Sequence, residues 1–168
     1  SSDFKKVGST IVVVGKQDLE AMGGSTYLSM INPERAERVE GPKVDLLVLT
    51  KVLEKVHQAI KSGKVLACHD ISEGGLITAI FEMCVGGDCG VNIKANGNPV
   101  NFLFNETAGC FIIEVENEAI AKKLFEAVPY QIIGKTQAEQ KIVVEKVFEA
   151  DLDKLQQVWQ KPMKEIFP

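Results

Sequence analysis

The sequence predicts an α+β fold in which helices pack with a mixed β-sheet. Three observations carry this. Runs of apolar residues with a helical period alternate along the chain with short β-branched runs, which excludes an all-α or all-β domain. Several strand-like runs lie too close in sequence to be joined by right-handed helical crossovers, so antiparallel neighbours must be present. The 168 residues are 45% apolar and 25% charged, without internal repeats or low-complexity segments, so residues 1–168 read as a single domain with a sizeable core.

The elements follow in order. Residues 10–15, Thr-Ile-Val-Val-Val-Gly, are a buried strand by their β-branched content and closing glycine. Gly23-Gly24-Ser25 reads as a corner with Ser25 capping a short helix. Residues 32–43 are polar and broken by proline, and read as a surface connection. The longest helix is expected over 44–61, with Val44, Leu47, Val48, Val52, Leu53, Val56 and Ile60 forming an apolar stripe and Gly63 stopping it. His57 lies among polar neighbours there and reads as a surface residue. A strand over 64–69 feeds a polar turn, and a helix over 74–85 follows, with Ile77, Ile80, Met83 and Cys84 inward.

Cys89 to Ile93 is a strand, Asn96–Pro99 a turn, and Asn101–Glu106 leads into a strand over 110–115. A helix over 117–127 ends at Pro129. Residues 130–135 and 141–147 are two more strands. From Asp151 the tail is helical, with Leu152, Leu155, Val158 and Trp159 on one face and Pro162 as an interruption.

Composition narrows the function classes. The net charge of −4 and the absence of a basic stripe argue against a nucleic-acid partner. No run is long and apolar enough to span a membrane, and the first residues lack the apolar core of a signal peptide. Cys68, Cys84, Cys89 and Cys110 form no metal-binding spacing, and two histidines cannot make up the deficit. Buried free thiols in a reducing cytoplasm are expected, with a Cys84–Cys89 disulfide the lesser alternative. Cys68 and His69 are neighbours on a strand, so they face opposite ways and do not form a catalytic pair. A start without methionine suggests an excised domain of a longer, multidomain chain.

The chemistry concentrates in His69-Asp70-Ile71-Ser72-Glu73-Gly74-Gly75-Leu76, a polar turn between strand and helix. Two readings stand. In one, the glycines let a phosphate approach backbone N–H groups at the helix start, and Asp70 holds the accompanying Mg²⁺ through a hard oxygen ligand. In the other, Asp70 or Ser72 caps the helix and the glycines make the corner, the commoner outcome for such turns.

This turn, with Phe81-Glu82-Met83 after it, resembles the HDxSDGGL…E signature of phosphoribosylformylglycinamidine synthase, synthetase subunit II type. Further stretches agree in order: Gly8–Gly15 resembles the opening strand of that family's C-terminal domain, Met22-Gly23-Gly24-Ser25-Thr26-Tyr27 its LGGSEY, Leu103-Phe104-Asn105-Glu106-Thr107 its LFSES, and Tyr130–Lys135 a late strand. The resemblance spans almost the whole chain. It implies the C-terminal domain type shared with aminoimidazole ribonucleotide (AIR) synthetase, an α/β/α layered domain that is partly ferredoxin-like.

It further implies an ATP-dependent ligase of purine biosynthesis. That enzyme converts formylglycinamide ribonucleotide, with ammonia from glutamine, to the amidine. ATP and Mg²⁺ are the expected cofactors of the full enzyme. By the resemblance, Asp70 corresponds to a metal-binding acid, and Ser72, Gly74, Gly75 and Glu106 join it in a nucleotide or substrate site. No catalytic residue is expected in this chain. The isolated domain is expected to be inactive and to complete a site between domains. Its expected partners are the N-terminal domains of the parent chain and a glutaminase subunit or domain, and an isolated domain is expected to be able to pair as a homodimer. The alternatives are an assembly domain with a vestigial nucleotide site, or another member of the AIR synthetase superfamily.

Overall fold

Five consecutive buried residues, Thr10–Val14, form β1 inside the sheet of this computed structural model, which describes residues 1–167. The alternation of a strand sends Ile11 and Val13 to one core and Val12 and Val14 to another. On one side of β1 lies the antiparallel β4 (Phe111–Val115), which pairs in turn with β2 (Val65–Asp70) at the sheet edge. On the other side lies β5 (Tyr130–Gln137), followed by β3 (Gly90–Ile93), β6 (Lys141–Val144) and β7 (Phe148–Asp151). The order is β2-β4-β1-β5-β3-β6-β7, and among the described residues only β3 and β6 are parallel. The sheet is therefore mixed, as expected.

Helices cover both faces, which gives the expected α/β/α layers. On the Ile11 face pack α4 (Gly75–Gly87), α5 (Pro99–Phe104) and the start of α7 (Leu152–Ile166), through Leu76, Ile80, Met83, Phe102, Leu103 and Leu152. On the Val12 face pack α3 (Leu46–Lys61) and α6 (Glu118–Phe125), through Val52, Val56, Ala121 and Phe125. Two short helices, α1 (Thr26–Ile31) and α2 (Pro33–Arg38), follow β1. The N-terminal segment is fixed by a fully buried carboxylate. Glu114 on β4 accepts from the Lys5 amide at 2.8 Å, the Lys6 amide at 3.0 Å and the Ser9 hydroxyl at 2.5 Å. Such pairing is what makes burying a charge tolerable. Among the described residues no helix is long and apolar enough to cross a membrane.

Several expected elements are corrected. The 32–43 connection contains α2, and the 96–106 stretch contains α5. Each begins with Asn-Pro. Asn32 and Asn98 cap, and proline at the first helical position starts a helix instead of breaking one. The strand expected over 141–147 ends at Val144, and a turn with Lys146 at φ 62° brings back β7, a turn without a glycine to announce it. Pro162 does not interrupt α7. It lacks the amide that would bond the Val158 carbonyl, and Val158 is 71% exposed. The stripe on α3 is narrower than expected: Val52, Val56 and Ala59 are buried, whereas Leu47, Leu53 and Ile60 face outward. Val158 and Trp159 are also mostly exposed, with Trp159 set edge-on against Phe81.

Candidate functional site

The turn after β2 is anchored from behind. Ile71 is buried, and its amide donates to the Cys110 carbonyl at 2.8 Å, which ends the strand at a fixed height. The Gly75 amide then bonds back to the Ser72 carbonyl at 3.0 Å and closes the corner. Gly74 and Gly75 have φ of 82° and 74°, values open to glycine at little cost. A Cβ on Gly75 would lie 2.7 Å from the Leu103 carbonyl oxygen and from the Phe104 carbonyl carbon, so the start of α4 rests directly on the end of α5.

Around this corner the polar side chains separate into two sets. Asp70, Ser72 and Glu73 are exposed, the Asp70 side chain by 65%. His69 is largely covered. Its Nδ1 donates to the Asp70 carbonyl at 2.7 Å, and its Nε2 faces the Glu82 carboxylate on α4 at 3.2 Å. Cys68 packs on the opposite side of β2, against the α3–α6 core, as the strand alternation requires.

Neither Asp70 nor Ser72 caps α4. The N-cap is Gly74, in the left-handed region and with no side-chain bond to the first turn. Every other helix among the described residues has a capping side chain: Ser25, Asn32, Asp45, Asn98, Asn117 and Asp151. The expected cap is thus present at the first glycine turn and absent at the second, where the glycines make the corner alone. No side chain of residues 70–73 bonds the first turn of α4, which presents the positive end of its dipole beside them; the Gly75 amide is taken by the Ser72 carbonyl.

Glu106 stands between the two glycine turns. Its Oε1 accepts from the Gly74 amide at 2.9 Å and from the Thr26 amide, at the start of α1, at 2.8 Å. The Gly74 N–H is therefore engaged inside the domain. The neighbours of Glu106 continue the connection. Asn105 is buried and its Nδ2 donates to the Asp18 and Ala21 carbonyls at 2.8 and 2.9 Å. The Thr107 hydroxyl bonds Asn105 Oδ1 and accepts from the Asp18 amide at 2.9 Å. The structure thus brings Glu106 and Gly74 together, places Gly75 beneath them, and leaves Asp70 and Ser72 outward on the rim. Sequence reasoning did not single out Asn105, Thr107 or Glu82 as site residues. The only signal was their presence inside the two quoted motifs.

Among the described residues no group of three His, Cys, Asp or Glu is placed to hold a metal ion. This donor set suits Mg²⁺, which is commonly held by one or two carboxylates together with substrate phosphates and water. Asp70 offers one such carboxylate, exposed, with His69 Nδ1 3.5 Å from its Oδ1 and no lysine or arginine partner among the described residues. The four cysteines are free. Burial pushes the thiols of Cys68, Cys89 and Cys110 up to about 11 and raises that of Cys84 as well, which disfavours the reactive thiolate form.

The family model for the AIR synthase related protein, C-terminal domain, matches residues 6–147. The chain belongs to this family. A curated relative, the phosphoribosylformylglycinamidine synthase subunit PurL of Deinococcus radiodurans, is 30% identical over 181 residues. That match covers 99% of this chain and 24% of the relative, so the chain spans about a quarter of the relative's length. Among solved structures, Thermotoga maritima PurL complexed with FGAR superposes with a TM-score of 0.73 at 15% identity, covering 92% of this chain and 29% of that one. T. maritima PurL complexed with ATP gives 0.63 at 17% identity, covering 92% and 27%. The Escherichia coli hydrogenase maturation protein HypE gives 0.59 at 17% identity, covering 90% and 50%. At these identities the structures establish the shared fold, and the AIR synthase C-terminal fold is the α+β domain with a seven-stranded mixed sheet seen here.

Proposed function

We propose that this chain is the C-terminal domain of an ATP-dependent phosphoribosylformylglycinamidine synthase of purine biosynthesis, inactive alone, and that its 69–76 turn completes a nucleotide or substrate site against another domain of the parent chain. The family membership and the PurL relative support the pathway. The observation that carries the site is the exposed Asp70 beside the helix start of α4, which lacks a side-chain cap. A phosphate suits those amides and that dipole.

Asp70 is proposed to hold Mg²⁺, which would supply neutralisation of the phosphate charge. Ser72 contributes a hydroxyl on the same rim, while Gly74 and Gly75 keep the backbone bare of side chains where the ligand approaches. Activating an amide oxygen by phosphoryl transfer needs positioned charge and exclusion of water, and a second domain closing over this exposed rim would provide the latter. The proposed partners are the N-terminal domains of the parent chain and a glutaminase delivering ammonia. A solved T. maritima relative is the PurLQS assembly. A cytoplasmic location accompanies this role.

A second reading, an assembly domain with a vestigial site, is favoured by one observation: the Gly74 amide is already bonded to Glu106. Complementation of a purine-requiring strain by the full-length parent gene separates the two. The ligase reading expects growth with the wild type and none with Asp70→Ala, the variant protein remaining folded. Growth with both moves the domain to the assembly reading. Failure of the wild type, with its partner subunits supplied, removes the pathway assignment.

A further inference from the structure

We infer that Glu106 is a positioning residue whose carboxylate fixes the two glycine turns against one another, and that it acts through the reach of one oxygen, not through its charge on a ligand. Its role in the reaction rests on the function proposed above; its structural role does not.

The geometry is specific. Thr26 and Gly74 belong to different strand–turn–helix units, and both amides converge on Glu106 Oε1 at 2.8 and 2.9 Å. Two bonds converging on one oxygen orient the side chain as well as hold it. Glu106 is half-buried, so losing either amide would leave a carboxylate partly desolvated and short of partners. Neither turn can shift without the other.

The stretch around Glu106 reinforces the link on both sides. The Leu103 carbonyl and the Phe104 backbone press on Gly75 closely enough to exclude a methyl group. Phe104 stacks on Tyr27 of α1 with ring centroids 4.4 Å apart. Asn105 and Thr107 hold the 18–21 loop leading into the first turn. Residues 103–107 therefore act as a bracket between the two turns, and Glu106 is the one member that bonds directly to both. The consequence is that the exposed rim carrying Asp70 and Ser72 sits at a set distance from the loop before α1, so a ligand touching both meets a preformed surface. Preorganisation of this kind is what a site needs from its supporting residues.

Three substitutions test this. Glu106→Gln keeps length and an acceptor oxygen but loses charge. Glu106→Asp keeps charge but is one methylene shorter and cannot reach both amides. Glu106→Ala loses both. Amide hydrogen exchange of Gly74 and Thr26 in the 168-residue chain is expected to quicken about tenfold or more in the Ala and Asp variants, and to stay near wild type in Gln. In the full-length parent, Gln is expected to restore purine-independent growth better than Asp. The inference is overturned if Asp restores growth and Gln does not, because charge on a ligand would then be the requirement. It is equally overturned if the two amides exchange alike in wild type and Ala, or if Gln preserves both amides and still abolishes growth. Should the wild-type parent itself fail to complement, the functional proposal falls, while the exchange experiment still judges the positioning role. The Asp and Gln comparison stands even if the Ala variant does not fold.

Discussion

The chain contains two strand–glycine turn–helix units, and they solve the same backbone problem differently. After β1, Gly23-Gly24-Ser25 starts α1 with a buried serine that accepts from the Leu28 amide and donates to the Met22 carbonyl. After β2, Gly74-Gly75 starts α4 with no cap from its own turn, and the Gly74 amide is met instead by the distant Glu106. In the first unit the polar side chain is spent inside the protein. In the second, Asp70, Ser72 and Glu73 remain on the surface. Gly-rich sequence alone does not distinguish a structural corner from a surface kept open to a ligand. What distinguishes them is whether the nearest hydroxyl or carboxylate turns inward to the first helical turn.

The largest expected effect comes from the glycines themselves. Gly75 has φ 74°, and its missing Cβ faces backbone atoms of Leu103 and Phe104 that cannot swing away. Gly75→Ala should cost about 2–6 kcal/mol, combining the strain of a left-handed residue with overpacking. Gly24 has the same φ but open space where a Cβ would go, so Gly24→Ala should cost only about 1 kcal/mol. Urea unfolding of the two variants measures the gap. Equal midpoints would mean that α4 does not depend on its close seat on α5, and the second turn would lose its claim to be a rigid platform.

The intermediate effect belongs to Ser25. Ser25→Ala removes the cap on Leu28 and the partner of the Met22 carbonyl, at a cost of about 1–2 kcal/mol in the same unfolding experiment. A change near zero would show that Glu106, through the Thr26 amide, holds the start of α1 without help.

These differences also explain what the sequence could and could not disclose. The strands were legible because β-branched runs such as Ile11–Val14 suit burial on both faces, whereas the α/β/α layering came from the family resemblance. The short helices α2 and α5 were not, since Asn-Pro serves equally for a turn and for a capped first helical residue. The outward Leu47 and Leu53 of α3 show the limit of periodicity: it gives the apolar face of a helix but not how much of that face finds a partner. In the candidate site, Asp70, Gly74 and Glu106 were visible as motif members. The bond from Gly74 to Glu106 was not, because it joins residues 32 apart in sequence, and no local pattern encodes such a contact.

The smallest expected effect on stability is the one that speaks most directly to function. Asp70→Ala and Ser72→Ala alter exposed side chains that cap nothing, and each should change unfolding stability by no more than about 0.5 kcal/mol. Set against Ser25→Ala, the prediction is an asymmetry: a hydroxyl that matters to folding in one turn and a hydroxyl that does not in the other. A loss above about 1 kcal/mol from Ser72→Ala would make the second turn another internal corner, since a stability effect of that size is what a capping bond supplies. With stability unchanged, Asp70 is a residue that the fold does not need, and the failure of Asp70→Ala in complementation is then assigned to the site instead of to the scaffold.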